Sequence, residues 1–551
     1  MEYGLIGAKL GHSYSKIIHE MLCGYKYDLC PLPTEEEARA FLTKRQFKAI
    51  NVTIPYKKLV MEYCSYIDPR AKAIGAVNTL VNKNGLLYGY NTDYLGFAHL
   101  CDARGVDFAG RTVLILGTGG THNTTSAVAR DKGAAKVLTV SRHPDPEKGE
   151  LSYAEAARSG AQIVINTTPA GMYPNVGVCN LDVAAMPGLE AVVDVVYNPD
   201  KTEIILRAEE AGVPVAVGGL EMLVAQAVYA AEYFLSRKFE DAPGEIRRIT
   251  AALRRDLLNI ALIGMPSSGK TTLGKMLAKQ LGRTFVDLDE EIVKADGRSI
   301  PDIFAAEGED GFRAKETEQT ARFGKENRQL LSCGGGVVKR PENLRALHQN
   351  GVVLFIDRPV EALAVGGDRP LSSSMDALRE MEAQRRPLYL AAADAVIPNN
   401  GTLDNALRAA LEALDEFLIL NGPNVNIMRW SEPGVPGELD YNAMMDYVQA
   451  GCDQMGIETD CCQSNHEGDL IDEIQSAAGR ADGIILNPGG YAHYSVAILD
   501  ALRLRGVPAV EVLLSEPDEH ESFRKTDIVS FGCQGHFIGE GISGYLHAGA
   551  Y

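Results

Sequence analysis

The sequence lacks any apolar run approaching the ~20 residues that a membrane-crossing helix requires, so no membrane partner is expected. Its opening residues, Met1-Glu2-Tyr3-Gly4-Leu5-Ile6-Gly7, have neither the basic start nor the long apolar stretch of a secretion signal. They read instead as a first β-strand, and the expected location is cytoplasmic. Cysteine is sparse, with 10 in 551 residues, and although Cys461 and Cys462 are adjacent no CxxC spacing marks a zinc site. Reduced, mostly buried thiols in a reducing compartment are the expectation. Positive charge is short as well: 54 Lys and Arg stand against 73 Asp and Glu, a net charge of −19. That balance argues against a nucleic-acid partner, which needs basic surface to offset phosphates. It leaves room for small anions held by a few placed arginines and lysines. Neither an internal repeat nor a low-complexity tract is present.

What the chain does have is an ordinary globular mixture, 46% hydrophobic and 23% charged. Its 551 residues suggest three or four domains at roughly 100–200 residues each. Two junctions stand out. Residues 238–257 are charge-rich, contain Ala242-Pro243-Gly244, and precede a fresh strand, Asn259-Ile260-Ala261-Leu262-Ile263-Gly264, which reads as a polar domain boundary. Asn399-Asn400-Gly401 ends the next unit, Thr402 to Glu416 has helical spacing, and the strand Phe417-Leu418-Ile419-Leu420 follows at once. The expected domains are therefore residues 1–240, 256–414 and 416–551. Each alternates short Val/Ile/Leu strands with amphipathic helices, the mark of α/β domains built on parallel sheets. That architecture hosts many chemistries, so function has to be read from the sites.

In the first segment, residues 111–117 read as a buried strand that runs straight into Gly117-Thr118-Gly119-Gly120. A glycine-rich turn between strand and helix lets backbone N–H groups approach a pyrophosphate, which makes Gly117, Gly119 and Gly120 candidate cofactor contacts. Such a loop can equally be a tight turn and nothing more. The next strand, Lys136 to Val140, ends in Ser141-Arg142-His143. An acidic residue here would bind a ribose hydroxyl, whereas Arg accommodates a 2′-phosphate. Ser141 and Arg142 thus point to NADP(H) over NAD(H), with a merely solvated arginine as the alternative.

Further strings surround this turn: Gly7-Ala8-Lys9-Leu10-Gly11-His12-Ser13-Tyr14-Ser15, Asn51-Val52-Thr53-Ile54-Pro55-Tyr56-Lys57, Gly75-Ala76-Val77-Asn78-Thr79 and Asn91-Thr92-Asp93. Asn166-Thr167-Thr168-Pro169-Ala170-Gly171-Met172 and Gly219-Leu220-Glu221-Met222-Leu223-Val224-Ala225-Gln226 follow. In this order they resemble shikimate dehydrogenase across residues 3–236. The resemblance implies a two-lobed Rossmann-type domain that reduces 3-dehydroshikimate to shikimate with NADPH. Lys57 and Asp93 would be its catalytic pair, and Ser13, Ser15, Asn51, Thr53, Asn78, Tyr197 and Gln226 would hold the substrate. The chemistry is sensible: an ammonium stabilises developing alkoxide charge and supplies the proton, and a carboxylate orients it. Two departures occur. Lys16 stands where the family has Pro, and His122-Asn123-Thr124-Thr125 is more polar than usual, which would loosen helix–strand packing or weaken cofactor affinity.

The second segment opens on the strand 259–263 and the loop Gly264-Met265-Pro266-Ser267-Ser268-Gly269-Lys270-Thr271, a full P-loop in strand–loop–helix context. Gly264, Ser268, Gly269 and Lys270 would cradle the phosphates of ATP, and Thr271 would ligate Mg2+. Phe285-Val286-Asp287-Leu288-Asp289, Phe312-Arg313, Gly334-Gly335-Gly336, Asp368-Arg369-Pro370-Leu371 and Arg385-Arg386-Pro387-Leu388-Tyr389 complete a resemblance to shikimate kinase over residues 258–400. It implies Asp289 as base at the acceptor hydroxyl, Arg313 and Arg385 on the substrate carboxylate, Gly335 beside the ring hydroxyls and Asp287 in the magnesium shell. Arg369 would descend from a lid, and Ala364-Val365-Gly366-Gly367 makes that lid short.

Leu420-Asn421-Gly422-Pro423-Asn424-Val425-Asn426, Ser464-Asn465-His466-Glu467-Gly468, the run from Asn487 to Ala497 and Gly539-Glu540-Gly541-Ile542-Ser543-Gly544-Tyr545 resemble type II 3-dehydroquinate dehydratase over residues 417–549. A flavodoxin-like fold is implied, with Asn487, His493 and Arg524 on functional positions. Other positions have lost their chemistry: Ser431 replaces a lid Arg, Pro436 the base Tyr, Leu513 a His and Glu516 an Asn. Tyr441 could stand in as base or be an ordinary core or surface tyrosine. The family reactions are consecutive, since the dehydratase product is the dehydrogenase substrate and the dehydrogenase product is the kinase substrate. A third, non-catalytic regulatory reading would require damaged sites throughout, whereas the first two segments keep their reacting groups, so two readings lead. In one, two activities are joined to a catalytically impaired third domain that serves assembly as a homo-oligomer; in the other, the enzyme is trifunctional.

Overall fold

Short runs of β-branched and aliphatic residues form the strands, and helices with one apolar face cover them. This pairs the backbone polar groups inside sheets while burying both sheet faces. The computed structural model describes residues 1–10, 13–239, 242–363, 374–414, 416–431, 438–455, 457–477, 481–516, 524 and 526–551. The chain divides into two compact units. One comprises Met1–Asn259, Thr317–Gln329 and Arg340–Val352; the other comprises Ile260–Glu316, Leu330–Lys339 and Val353–Tyr551.

The first sheet has the strand order Tyr27–Pro31, Tyr3–Gly7, Ala49–Val52, Thr79–Lys83, Leu86–Tyr90, Tyr66–Ile67. It is mostly parallel, but Thr79–Lys83 runs antiparallel to both of its neighbours. Its pairing with Leu86–Tyr90 has a local cause: Asn84 and Gly85 take φ of 54° and 83°, the left-handed pair that a tight two-residue hairpin requires. The second sheet is parallel, ordered Val215–Val217, Ala191–Asp194, Ile163–Asn166, Thr112–Leu116, Lys136–Val140. Side chains alternate between two cores, Val113, Ile115 and Ile163 on one face, Leu114, Leu116 and Val164 on the other. The strand order reverses at Thr112–Leu116, so the crevice that such sheets use for ligands opens directly above the glycine turn.

The segment expected as a polar boundary folds differently. Ala242–Leu257 is a 16-residue helix. Ala242, Ile246, Ile249 and Leu253 recur at helical spacing and are buried with Ile18, Leu220, Val224 and Val228 in one apolar cluster. Pro243 is tolerated because it sits in the first turn, where its missing N–H would have no partner. Its charges are the solvent face of an amphipathic helix.

The third sheet is ordered Thr284–Asp287, Gln329–Ser332, Asn259–Ile263, Gly351–Asp357, Ala395–Pro398. The fourth, Glu458–Gln463, Glu416–Asn421, Gly483–Asn487, Ala509–Leu513, Gly535–Ile538, is wholly parallel with the flavodoxin-like order. Leu418, Leu420, Ile484 and Leu486 feed one of its cores, Ile419, Ile485 and Val512 the other. All ten cysteines are free thiols; Cys101, Cys333, Cys452 and Cys462 are buried and the rest half-buried. Among the described residues no helix is long and apolar enough to cross a membrane.

Candidate functional site

The first unit holds a pocket of about 360 Å³ lined by Ser13, Ser15, Asn51, Thr53, Lys57, Asn78, Asp93, Tyr197 and Gln226. Every residue expected to bind or turn over the first substrate is therefore on one wall or another of a single cavity. Lys57 Nζ donates to Asp93 Oδ2 at 2.6 Å. Asp93 lies in the first turn of the helix Thr92–Ala103, whose start is fixed by Asn91, its side chain accepting from the Tyr94 N–H at 3.1 Å. Asn78 is locked from behind, its Oδ1 accepting from the Thr92 N–H at 2.7 Å and from Thr79 Oγ1 at 3.0 Å.

Sequence reasoning missed the layer that holds Asn51. Tyr27 Oη and His19 Nε2 both donate to Asn51 Oδ1, at 2.8 and 3.1 Å, and Tyr25 Oη donates to His19 Nδ1 at 2.8 Å. The tautomer is assigned from these partners. Complete burial pushes the His19 imidazole down to about 3, so it stays neutral and acts as a fixed donor. The available signal was its spacing, one helical turn beyond the pocket residue Ser15. Lys9 and Thr121 also line the pocket without having been singled out.

The glycine turn leads from the strand Thr112–Leu116 into the helix Gly120–Asp131. Gly117 has φ 98°, and a Cβ there would come within 2.8 Å of Thr168 Cγ2, so the position needs glycine twice over. Around Gly119 and Gly120 a Cβ would meet nothing within 4 Å, open space in front of a helix N-terminus that suits a bound pyrophosphate. Ser141 and Arg142 follow the neighbouring strand Lys136–Val140, with Arg142 exposed. Thr124, Thr125 and Ser126 are buried, and Thr125 Oγ1 donates back to the Thr121 and His122 carbonyls at 3.2 Å. Lys16, at the other departure, pairs with Glu20 at 3.7 Å on the helix Ser15–Leu22.

In the second unit the loop 264–269 bends through Gly264 at φ 143°, Ser267 at 64° and Gly269 at 97° before the helix Lys270–Leu281. Lys270 Nζ folds over that loop, donating to the Gly264 and Met265 carbonyls at 3.0 and 2.8 Å. Thr271 Oγ1 donates to Asp287 Oδ2 at 2.9 Å. A hydroxyl beside a carboxylate is a hard-oxygen pair of the kind Mg2+ accepts alongside phosphate oxygens. Asp287 also caps the helix Leu288–Asp296 through the Asp289 N–H. The three glycines 334–336 clear space for side chains. A Cβ on Gly334 would lie 2.6 Å from Glu316 and 2.9 Å from Asp289, and one on Gly336 would overlap the Arg313 guanidinium. Arg313 is buried and paired with Glu316 at 2.8 Å and Glu309 at 3.1 Å. Arg385 donates to the Gly335 carbonyl at 2.8 Å, as does Tyr389. Asp287, Asp289, Arg313 and Arg385 thus gather around the P-loop helix and the triple glycine, whereas Arg369 lies outside the described residues.

In the fourth-sheet region Asn487 Nδ2 donates to Tyr545 Oη at 2.9 Å, and Tyr545 Oη donates to Asn421 Oδ1. His493 Nδ1 donates to the Thr526 carbonyl at 3.0 Å, and Arg524 is half-buried two residues before that carbonyl. Leu513 is buried, Ser431 and Glu516 are exposed, and Pro436 lies outside the described residues. Tyr441 begins the helix Tyr441–Gln454, 3.4 Å from Asn421 Nδ2.

Comparison with known proteins agrees with this layout. The family model for the shikimate dehydrogenase substrate binding domain matches residues 5–80, that for shikimate kinase residues 266–415, and that for dehydroquinase class II residues 415–551. A shikimate dehydrogenase (NADP(+)) of Clostridium perfringens is 36% identical over 261 residues, 44% of this chain and 95% of the relative. One from Symbiobacterium thermophilum is 34% identical over 277 residues, 45% of this chain and 92% of the relative. Among solved structures, a chorismate mutase/shikimate 5-dehydrogenase fusion protein from Clostridium acetobutylicum is 34% identical, covering 46% of this chain and 96% of its own, with a TM-score of 0.43. Through its N-terminal part the chain belongs to the shikimate dehydrogenase family, and a shikimate kinase domain and a class II dehydroquinase domain follow it in the same polypeptide.

Proposed function

We propose that the chain is a multifunctional enzyme that reduces 3-dehydroshikimate to shikimate with NADPH and phosphorylates shikimate with ATP to shikimate 3-phosphate. Three domains, residues 1–240, 256–414 and 416–551, carry the parts, and the setting is cytoplasmic. The observation that carries the reading is the 2.6 Å Lys57–Asp93 pair inside a pocket otherwise lined by neutral polar groups.

In the dehydrogenase, Gly117, Gly119, Gly120, Ser141 and Arg142 hold the cofactor, which supplies the reducing equivalent when bound. Lys57 gives its proton to the carbonyl oxygen as negative charge develops there, and Asp93 keeps the ammonium aimed. Ser13, Ser15, Asn51, Thr53, Asn78, Tyr197 and Gln226 orient the carboxylate and hydroxyls. Because Asn51 and Asn78 are already locked from behind, little ordering is left to do on binding.

In the kinase, Gly264, Ser268, Gly269 and Lys270 hold the phosphates of ATP. Thr271 and Asp287 hold Mg2+, which offsets phosphate charge. Asp289 takes the proton from the acceptor hydroxyl. Arg313 and Arg385 hold the substrate carboxylate beside Gly335, and Arg369, which lies outside the described residues, would offset charge on the transferred phosphoryl group.

The third domain is a dehydratase frame with impaired chemistry, retaining Asn487, His493 and Arg524, and it supports assembly into a homo-oligomer. The alternative, a trifunctional enzyme, is favoured by the intact Asn487–Tyr545–Asn421 chain of hydrogen bonds. Assaying the purified chain separately with shikimate plus NADP+, shikimate plus ATP, and 3-dehydroquinate tests the whole reading. Failure of either of the first two assays overturns the corresponding assignment, and turnover in the third decides for trifunctionality.

A further inference from the structure

Two stretches matched by the shikimate kinase model, Thr317–Gln329 and Arg340–Val352, belong to the same compact unit as the dehydrogenase pocket. Their polar side chains end on Tyr14 and Asp200, which flank residues that line that pocket. Asn327 Nδ2 donates to Tyr14 Oη at 3.1 Å. Tyr14 stands between the pocket residues Ser13 and Ser15, and its ring is tilted against that of Tyr197, also in the pocket, with centroids 5.6 Å apart. Asn350 fixes the Asn327 amide: its Nδ2 donates to Asn327 Oδ1 at 2.7 Å and to the Glu326 carbonyl at 2.8 Å. That contact orients the Asn327 amide so that Nδ2 faces Tyr14. Asn350 Oδ1 meanwhile accepts from the Asp200 N–H at 3.2 Å, and the Gln349 carbonyl accepts from the Lys201 N–H at 2.8 Å. The loop that carries Tyr197 is thus pinned at its far end by Asn350 and Gln349, and Asn350 also orients the asparagine that holds Tyr14.

Arg345 offers a contrast within this seam. It pairs with Glu203 at 2.9 Å and Glu210 at 2.5 Å, on a helix whose residues do not line the pocket. The Arg345–Glu210 pair is partly exposed and contributes little, and although Glu203 is buried, neither acid reaches a residue of the pocket. The asparagines differ because their bonds terminate on the tyrosine between two pocket serines and on the backbone of a pocket loop.

We propose that Asn327 and Asn350 are positioning residues of the dehydrogenase. By setting Tyr14 and the Tyr197 loop, they make substrate affinity at the first site depend on the kinase-matched part of the chain. The inference rests on the dehydrogenase reading proposed above. In the full-length protein, Asn327→Ala is expected to raise the KM for shikimate oxidation about three- to tenfold, the scale of one neutral hydrogen bond, with kcat within about twofold. Tyr14→Phe, which removes only the hydroxyl, is expected to do the same. The double variant should be no worse than either single one, since both delete a single shared interaction. Arg345→Ala should leave this KM unchanged, and the kinase constants for shikimate and ATP should hold in Asn327→Ala.

An unchanged oxidation KM in both Asn327→Ala and Tyr14→Phe overturns the proposal. So do multiplying effects in the double variant, or a parallel fall of both activities that marks Asn327 as a general folding residue. If the wild-type chain does not oxidise shikimate at all, the functional reading itself fails and takes this inference with it.

Discussion

The dehydrogenase pocket and the class II dehydroquinase domain differ in what has been kept. In the first, nine candidate substrate and catalytic side chains face one cavity, and the proposed catalytic pair is in direct contact. In the second, the parallel sheet, its two cores and the Asn487–Tyr545–Asn421 chain are intact. Yet a buried leucine, Leu513, stands where the family chemistry wants a histidine, and exposed Ser431 where it wants an arginine. The contrast teaches that fold and chemistry are held by separable residues. Alternating apolar positions along Glu416–Asn421, Gly483–Asn487 and Ala509–Leu513 secure the sheet whatever the loop ends carry. A family match therefore reports the frame and leaves the chemistry at the loop ends to be tested.

The largest expected effect breaks the comparison at its strong end. Lys57→Ala should lower shikimate oxidation by at least ~10³-fold, since it removes both proton donor and charge stabiliser. Phosphorylation by the same preparation should stay within about twofold. Lys270→Ala should do the reverse, because the ammonium over the P-loop is absent from the dehydrogenase pocket. Steady-state rates with each cosubstrate check both, and a joint loss in either folded variant would sink the separation of sites. A smaller effect is expected at Arg142. Arg142→Ala should cut the preference for NADP+ over NAD+ by about 10–100-fold, the worth of one or two charge-assisted hydrogen bonds. An unchanged ratio of kcat/KM values would remove Arg142 from the cofactor site.

Much of the first two sites was legible in the sequence because their chemistry needs particular residues at particular spacings. Lys57 and Asp93, or Thr271 and Asp287, are types that few structural roles would place in those strings. What was not legible has two physical origins. His19 and Tyr27 act on Asn51 from distant parts of the chain, and such pairing is invisible until the sheet brings them together. The helix Ala242–Leu257 was hidden by its charges and by Pro243, although the spacing of Ile246, Ile249 and Leu253 carried the signal. The hairpin at Asn84 and Gly85 was written in the plainest turn dipeptide there is.

At the weak end, Pro436→Tyr should test whether one missing group accounts for an impaired dehydratase. With Ser431 and Leu513 unchanged, the charge-stabilising arginine and the substrate histidine would still be absent. A gain of less than about tenfold in 3-dehydroquinate turnover is expected, against the ~10²–10⁴-fold that a positioned base contributes in a complete site. Recovery to the full range, followed by absorbance of the enone product, would show that the pocket had been ready all along.

The smallest effect concerns stability and compares two buried acids, one in each region. Asp194 is fully buried, and burial lifts its carboxyl to about 6, but Thr202 Oγ1, the Val196 N–H and Asn166 Nδ2 donate to it at 2.6, 3.0 and 3.0 Å and restrain the rise. Glu511, on the strand Ala509–Leu513, is as deeply buried, and beyond the facing Asp527 carboxyl neither of its oxygens meets a hydrogen-bond donor among the described residues. The Asp527 carboxyl faces it and His536 Nδ1 lies 3.5 Å away, while burial and then Asp527 push Glu511 up to about 9. The unfolded chain gives up this proton near the ordinary glutamate value of ~4.3. Between those values the folded state binds more protons, so this group's contribution to stability is present below the unfolded value and is lost as pH rises toward 9. Glu511→Gln keeps the shape and stays neutral throughout. It should therefore raise the calorimetric transition of the third domain at pH 8, by ~4 °C for each ~1 kcal/mol recovered, and change it little at pH 4.5. An equal shift at both pH values, or a lower transition at pH 8, would show that Glu511 finds its partners when ionised and that the contrast with Asp194 is wrong.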